Sequence, residues 1–239
     1  MRSIGLEQAD RRFQYQAQWT RQLRSYIIEK LPAKKDLNIL EVGCGTGAVI
    51  DCLLKEFPDR IGSVTGVDSN RAMAEFSAEK YPARICLEEG EHLSFAKDCF
   101  DLVFCHYLLL WTGEPEKIIS EMKRVTVPGG ILAVMAEPCY TEMCAEPEAL
   151  SALAGRQAEK LAEKGADLSA GKKLGELFSS AGLHPFEWGR FGKMEWDQDA
   201  LEQEIGQMLI DTGEEAFEME TGRNYQYSVP TYYAIAEKN

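Results

Sequence analysis

At 239 residues, 45% of them hydrophobic and 27% charged, the chain has a globular composition and room for one domain with at most a modest cap. It can bury roughly three quarters of its unfolded surface, so it needs no metal or disulfide staple. Twenty-six Lys and Arg against 39 Asp and Glu leave a formal net charge of −13, a field that repels phosphate backbones and argues against nucleic-acid partners.

No run of about 18 apolar residues is present, so no membrane span is expected. The opening stretch MRSIGLEQADRRFQYQ has no apolar core of a secretory signal. Seven cysteines at irregular spacings, without a CxxC pair, suggest reduced thiols in a cytoplasm and no disulfide framework, and no metal is implied.

Residues 8–30 are polar and basic. Their apolar or aromatic side chains are Phe13, Trp19, Leu23, Tyr26 and Ile27, and the later four recur at near-helical spacing, which predicts one or two amphipathic helices ending before Leu31-Pro32. From Asp36 the pattern changes. NILEV (38–42) reads as a buried strand, GCGTGA follows, and Val49, Leu53, Leu54 and Phe57 mark a helix face closed by Pro58. VTGVD (64–68) is a second strand and Arg71 to Lys80 a second helix; ARICLEE (83–89) and FDLVFCHYLL (100–109) are the third and fourth strands. Pro115 opens a helix with Ile118, Ile119, Met122 and Val125 on one face, and Pro128-Gly129-Gly130 turns it into ILAVMA (131–136).

Short apolar strands alternating with helices are the mark of a parallel sheet covered on both faces. Beyond it, residues 140–170 read as helical with a break near Gly165, Lys172 to Ser180 as a helix, and LHPFEWGRF (183–191) and TYYAIA (231–236) as strands. Residues 195–222 hold ten acidic side chains and no Lys or Arg, most simply a solvated helix face. As a cap, that face would attract a cationic substrate.

The chemistry concentrates at the carboxyl ends of the first three strands, where ligands sit in open parallel sheets. Glu41-Val42-Gly43-Cys44-Gly45-Thr46-Gly47-Ala48 ends the first; its glycines permit a tight turn and close approach to main-chain atoms. Asp68 ends the second and can accept from both hydroxyls of a ribose. Glu88-Glu89-Gly90-Glu91 follows the third, where a carboxylate can accept from an exocyclic amine. These are the groups an adenosine needs. Gly43, Gly45 and Ala48 also satisfy a relaxed dinucleotide fingerprint, so a nicotinamide cofactor stays open. The alternating GxGxG after Glu41, the helices before the first strand and the PGG turn favour a different cofactor.

With ILEVGCGTG (39–47), GVDSNRAM (66–73), EEGEHLSF (88–95), FDLVFCHYLLLW (100–111) and MKRVTVPGGILAVMAEP (122–138) in this order, the chain resembles the class I S-adenosylmethionine-dependent methyltransferases over about 36–136, and plausibly to its end. The resemblance implies an α/β, doubly wound Rossmann-like seven-stranded sheet whose last strand, TYYAIAEKN, is antiparallel and inserts beside the fifth. It implies S-adenosyl-L-methionine as cofactor and S-adenosyl-L-homocysteine as product. Glu41 leads its first motif, and Gly43, Cys44 and Gly45 would line the methionine part. Asp68 would hold the ribose, with Met73 near the adenine and Ser69 beside it. Glu89, with Gly90 and Glu91, stands where the family usually has an Asp. Cys105, His106 and Tyr107 fall beside the transferring methyl. CHYL in place of NPPY or NPPF argues against members that modify amides and base amines.

The expected organisation is one methyltransferase domain over 1–239. It comprises an N-terminal helical cap (1–35), a cofactor-binding core (36–138), a helical insertion (139–171), and a C-terminal half of the sheet (172–239) carrying the acidic cap 195–222. Inserted caps of this size suit a small-molecule acceptor. No residue is singled out as catalytic. His106 at its strand end could take a proton; packing within the sheet, with only its backbone near the cofactor, is the preferred reading. His92 and His184 have no catalytic role, and the Cys44 thiol is inert. Tyr107, Trp111 and Trp19 are either a substrate wall or core. Arg21 or Arg24 could close over the cofactor's carboxylate. A nicotinamide-dependent oxidoreductase and a non-catalytic binding module remain the alternatives, and the oligomeric state is open.

Overall fold

The computed structural model describes residues 5–191, 198–220 and 222–239. Five strands and their crossovers build the first half: β1 (Leu37–Val42), α3 (Ala48–Glu56), β2 (Ile61–Asp68), α4 (Arg71–Lys80), β3 (Arg84–Leu87), β4 (Phe100–Cys105), α5 (Pro115–Val125) and β5 (Thr126–Pro138). Two helices precede them, α1 (Leu6–Trp19) and α2 (Arg21–Lys30). The second half adds β6 (Cys144–Glu146), α6 (Glu148–Glu163), α7 (Leu174–Ser180), β7 (Glu187–Arg190), α8 (Gln198–Thr212), β8 (Gln226–Ser228) and β9 (Thr231–Glu237).

The main sheet runs β3-β2-β1-β4-β5-β9-β7. Its first five strands are parallel, and β9 is antiparallel between β5 and β7, as the resemblance implied. Alternation within each strand splits the core cleanly. Leu37, Ile39, Leu102, Phe104, Ile131 and Ala133 face a layer with α2 and α3; Leu40, Val42, Val103, Cys105, Leu132 and Val134 face α5 and α7. Because both faces are buried, these strands look continuously apolar in sequence. A third cluster joins Leu150, Leu153 and Ala154 of α6 to Leu201, Ile205 and Met208 of α8 and to Tyr227 of β8. With the small β6–β8 ribbon it forms a cap over the carboxyl ends of the strands.

Several boundaries differ from expectation. The fourth strand stops at Cys105, not at residue 109: Tyr107 takes a left-handed φ of 54°, and a 3-10 turn at Leu109–Trp111 follows. That turn is held by Glu137, whose carboxylate accepts from the Leu109 and Leu110 amides at 3.0 and 2.9 Å. Pro128-Gly129-Gly130 is not a turn outside the strand but an irregularity inside β5. The Gly129 amide donates to the Lys238 carbonyl at 2.7 Å, and the Lys238 amide returns a bond to Gly130 at 2.9 Å. The helix expected from residue 140 begins only at Glu148: Tyr140–Glu142 is a single 3-10 turn, and β6 after it pairs with β8. The helix expected from Lys172 begins at Leu174, after a 3-10 turn. Of the acidic stretch, residues 195–197 and 221 lie outside the described residues. The remainder is not simply a solvated face, because α8 turns Glu204 and Gln207 inward, both 8% exposed.

Candidate active site

β1 runs straight into the glycine turn. The Gly43 and Cys44 amides both donate to the Val67 carbonyl, at 2.8 and 2.9 Å. Gly43, Gly45 and Gly47 have φ of 74°, 52° and 83°, the left-handed region that penalises any side chain. A Cβ at Gly43 would lie 2.6 Å from Leu108, and one at Gly47 would strike Ser77 and Tyr81. Asp68 anchors the turn from the neighbouring strand. Its Oδ2 accepts from the Gly45 amide at 2.7 Å and its Oδ1 from Asn70 at 2.8 Å, leaving further lone pairs toward the cavity. Asn70, not Asp68, caps α4, accepting from the Ala72 and Met73 amides.

These strand ends form the floor of a cavity of about 730 Å³. Glu41, Gly43, Cys44, Gly45, Asp68, Ser69, Met73, Gly90, Glu91 and His106 line it, as do Tyr107 and Trp111. Two expected contacts do not. Glu89 points to solvent, and Glu88, one residue earlier, takes its place on the wall, its carboxylate accepting from Ser94 Oγ at 2.6 Å. Cys105 turns into the layer under α5, because at a strand end only every second side chain can face the ligand. Glu91 is fixed by Thr112 Oγ1 at 2.6 Å. Trp19 stands behind Tyr107, ring centroids 6.3 Å apart, outside the lining.

Two basic side chains reach the cavity, Arg12 and Lys164, neither of which the sequence singled out; Lys164 is paired with Asp211 at 3.5 Å. Arg24 is fully buried and spent: its guanidinium donates to both Glu56 carboxylate oxygens, at 3.0 and 2.8 Å, to Thr20, and to the Ala17 carbonyl. Arg21 also meets Glu56, at 3.6 Å. α1 itself lies across the glycine turn, with Phe13 against Gly45, Gln14 donating to the Tyr81 hydroxyl at 2.8 Å, and Asp10 paired with Lys80.

Electrostatically the floor is unusual. Burial pushes the Glu41 carboxyl well above the usual range, reinforced by Asp68 and opposed by Arg24. Burial also raises Asp68, against the pull of the Asn70 and Gly45 amides. Burial and the Arg24 charge push His106 down to about 3, so its imidazole is neutral and a weak base; its Nε2 lies 3.4 Å from Thr20 Oγ1. Burial drives the Cys44 thiol up, leaving it unreactive.

Residues 40–134 match the family described as Methyltransferase domain. Over that stretch the chain is similar to methyltransferase domains. A probable methyltransferase, ltbC, of Aspergillus luteorubrus is 36% identical to it over 134 residues, 49% of this chain and 46% of that protein. The ubiquinone/menaquinone biosynthesis C-methyltransferase UbiE of Campylobacter jejuni is 30% identical over 112 residues, covering 45% and 48%. The chain thus spans about half the length of the curated relatives it matches. In fold, the chain superposes on the [4+2]-cyclase SpnF with a TM-score of 0.64 at 19% identity, over 91% of this chain and 80% of that one. Among the described residues no helix is long and apolar enough to cross a membrane.

Proposed function

We propose that this chain transfers the methyl group of S-adenosylmethionine to an O, N, S or C nucleophile of a small molecule. The observation that carries the reading is Glu41. It is 2% exposed, and its Oε2 has no hydrogen-bond partner although it lies beside the glycine turn and lines the cavity. A buried acceptor without a donor is costly, and the ammonium of an amino-acid tail would satisfy it. The rest of the lining fits the same molecule: Gly43, Cys44 and Gly45 for the tail, Asp68 for the ribose, and Ser69, Met73, Glu88, Gly90 and Glu91 around the adenine.

Bound S-adenosylmethionine supplies an already activated sulfonium methyl, open to in-line displacement. The chain's part is to orient and to exclude water. α1 covers the glycine turn, and α6 and α8 roof the far end with Leu161, Gln207 and Asp211. Orientation in such a site contributes up to about 7–11 kcal/mol in favourable cases. His106 is neutral and too weak a base to hold a proton near pH 7, so it serves as a wall rather than as a general base.

The proposal treats 1–239 as one domain in which 1–35 and 139–171 act as caps. Its cytoplasmic setting is supported by seven unpaired cysteines, and a small-molecule acceptor by the enclosed cap. A second reading, fold retained without methyl transfer, is favoured by the likeness to a protein described as a cyclase. Thermal-shift titration with S-adenosylmethionine, S-adenosylhomocysteine and NADH separates these readings. At about 100 times Kd a ligand adds roughly 2.7 kcal/mol of stability. Stabilisation by the two sulfur ligands, lost in Asp68→Ala, is the expected result. A shift with NADH alone would sink the reading, and no shift at all would favour a module that has abandoned the cofactor.

A further inference from the structure

The two ends of the cavity offer opposite hydrogen-bonding chemistry. At the glycine-turn end, Glu41 and Asp68 present carboxylates. At the cap end, Arg12 and Gln16 of α1, Tyr140 ahead of β6 and Gln207 of α8 line the wall. Among the described residues none of these four side chains has a hydrogen-bond partner. Gln16 and Gln207 are nonetheless 7% and 8% exposed. Among the described residues Arg12 has one ion-pair partner, Glu204, at 4.0 Å, which is beyond hydrogen-bonding distance and not part of the lining. Glu204 therefore backs the guanidinium while leaving its donors toward the cavity.

The other charges at this end are occupied. Asp211 accepts from Gln157 Nε2 at 2.9 Å and meets Lys164 at 3.5 Å. Leu110, Trp111 and Leu161 add an apolar wall beside the four polar groups. Guanidinium, amide and phenol groups left without partners around one space suit an oxyanion, and a guanidinium fork matches the two oxygens of a carboxylate.

We propose that the methyl acceptor is a small carboxylic acid with an apolar or aromatic body, its carboxylate held by Arg12 with Gln16, Tyr140 and Gln207 around it. The proposal rests on the methyl-transfer reading and names its acceptor class. The cofactor's own tail carries the same chemical group. Arg12, however, exerts its charge on Tyr107, Tyr140, Glu204 and Tyr227, all toward the cap, whereas Phe13 stands over Gly45.

The test is calorimetry on the full chain as wild type, Arg12→Gln and Arg12→Lys. S-adenosylhomocysteine and 5′-methylthioadenosine, which lacks the amino-acid tail, are titrated first. Benzoate, cinnamate, octanoate and citrate, with the amides of the first three, are then titrated into free protein and into the S-adenosylhomocysteine complex. The expected result has S-adenosylhomocysteine binding all three proteins within about twofold. At least one acid, but not its amide, binds wild type and loses about tenfold or more in Arg12→Gln, with partial recovery in Arg12→Lys. Weakened S-adenosylhomocysteine with unchanged 5′-methylthioadenosine in Arg12→Gln would assign Arg12 to the cofactor's tail and overturn the proposal. So would a panel in which no acid distinguishes wild type from Arg12→Gln. Failure of S-adenosylhomocysteine to bind wild type would overturn the methyl-transfer reading instead, while the acid titrations on free protein still decide Arg12.

Discussion

The glycine turn and the cap close the same cavity from opposite sides, yet they are built on different principles. The turn is fixed by main chain: amides of residues 43–45 bond to Val67 and Asp68, and three left-handed glycines set the path. The cap is fixed by side chains from segments about fifty residues apart, with Leu150, Leu153 and Ala154 packed on Leu201, Ile205 and Met208. A main-chain device tolerates almost no substitution but leaves its mark in a short motif. A side-chain device tolerates exchange of one apolar residue for another, and so can change its acceptor while the turn stays constant.

The sharpest way to break the comparison is Gly47→Val. A β-branched side chain at φ 83°, aimed at Ser77 and Tyr81, should cost about 2–5 kcal/mol and abolish S-adenosylhomocysteine binding together with stability. Urea unfolding and calorimetry read both. Leu153→Ala, in the cap, should cost about 2–5 kcal/mol, since the side chain is fully buried in the α6–α8 cluster. S-adenosylhomocysteine affinity should stay within about twofold. Loss of cofactor binding in this variant would show that the two regions are not separable.

Glu137 sits between the regions, and Glu137→Gln should cost about 1–3 kcal/mol by replacing one acceptor of the Leu109–Leu110 amides with a donor. It also sharpens the pH behaviour. Burial pushes the Glu137 carboxyl up to about 8, so between the ordinary carboxylate range and pH 8 the folded chain holds a proton that the unfolded chain has lost. Stability therefore falls as pH rises through that window. Glu41, Asp68 and Glu204 are raised too and slope the same way, so the variant should flatten the curve without levelling it.

The smallest effect is expected from His106→Asn. With His106 held near 3, the unfolded chain binds the extra proton below about 6.5, and stability falls as pH drops from there toward 3. The variant should shrink that acid slope and leave stability at pH 8 within about 1 kcal/mol. An ionisation near neutral pH that vanishes from the rate profile with His106 would contradict its role as a wall.

Legibility in the sequence follows the same division. The parallel half was readable because its central strands β1, β4 and β5 are apolar on both faces and each helix is closed by a Pro or a turn. The order of the motifs also brought in β9. Where side chains decide, sequence was a poor guide. β6 and β8 are three residues each, too short for any periodicity. Glu88 and Glu89 differ by one step of phase, which a run of carboxylates does not encode. Arg12, Arg21 and Arg24 are equivalent in a basic helical stretch until Glu56 is seen to occupy two of them. The end of β4 was missed because CHYLLL continues the apolar run, and the interruption comes from Glu137, thirty residues away.

The cysteine distribution offers a practical handle. Cys44, Cys52, Cys105 and Cys139 are buried and Cys86 and Cys99 are partly covered, whereas Cys144 is exposed in the cap ribbon, paired with Ser228. A maleimide dye at limiting stoichiometry should enter at Cys144 before the others. The native chain thus carries, without any engineered thiol, an attachment point for a fluorophore whose emission would follow the cap while the glycine turn fills.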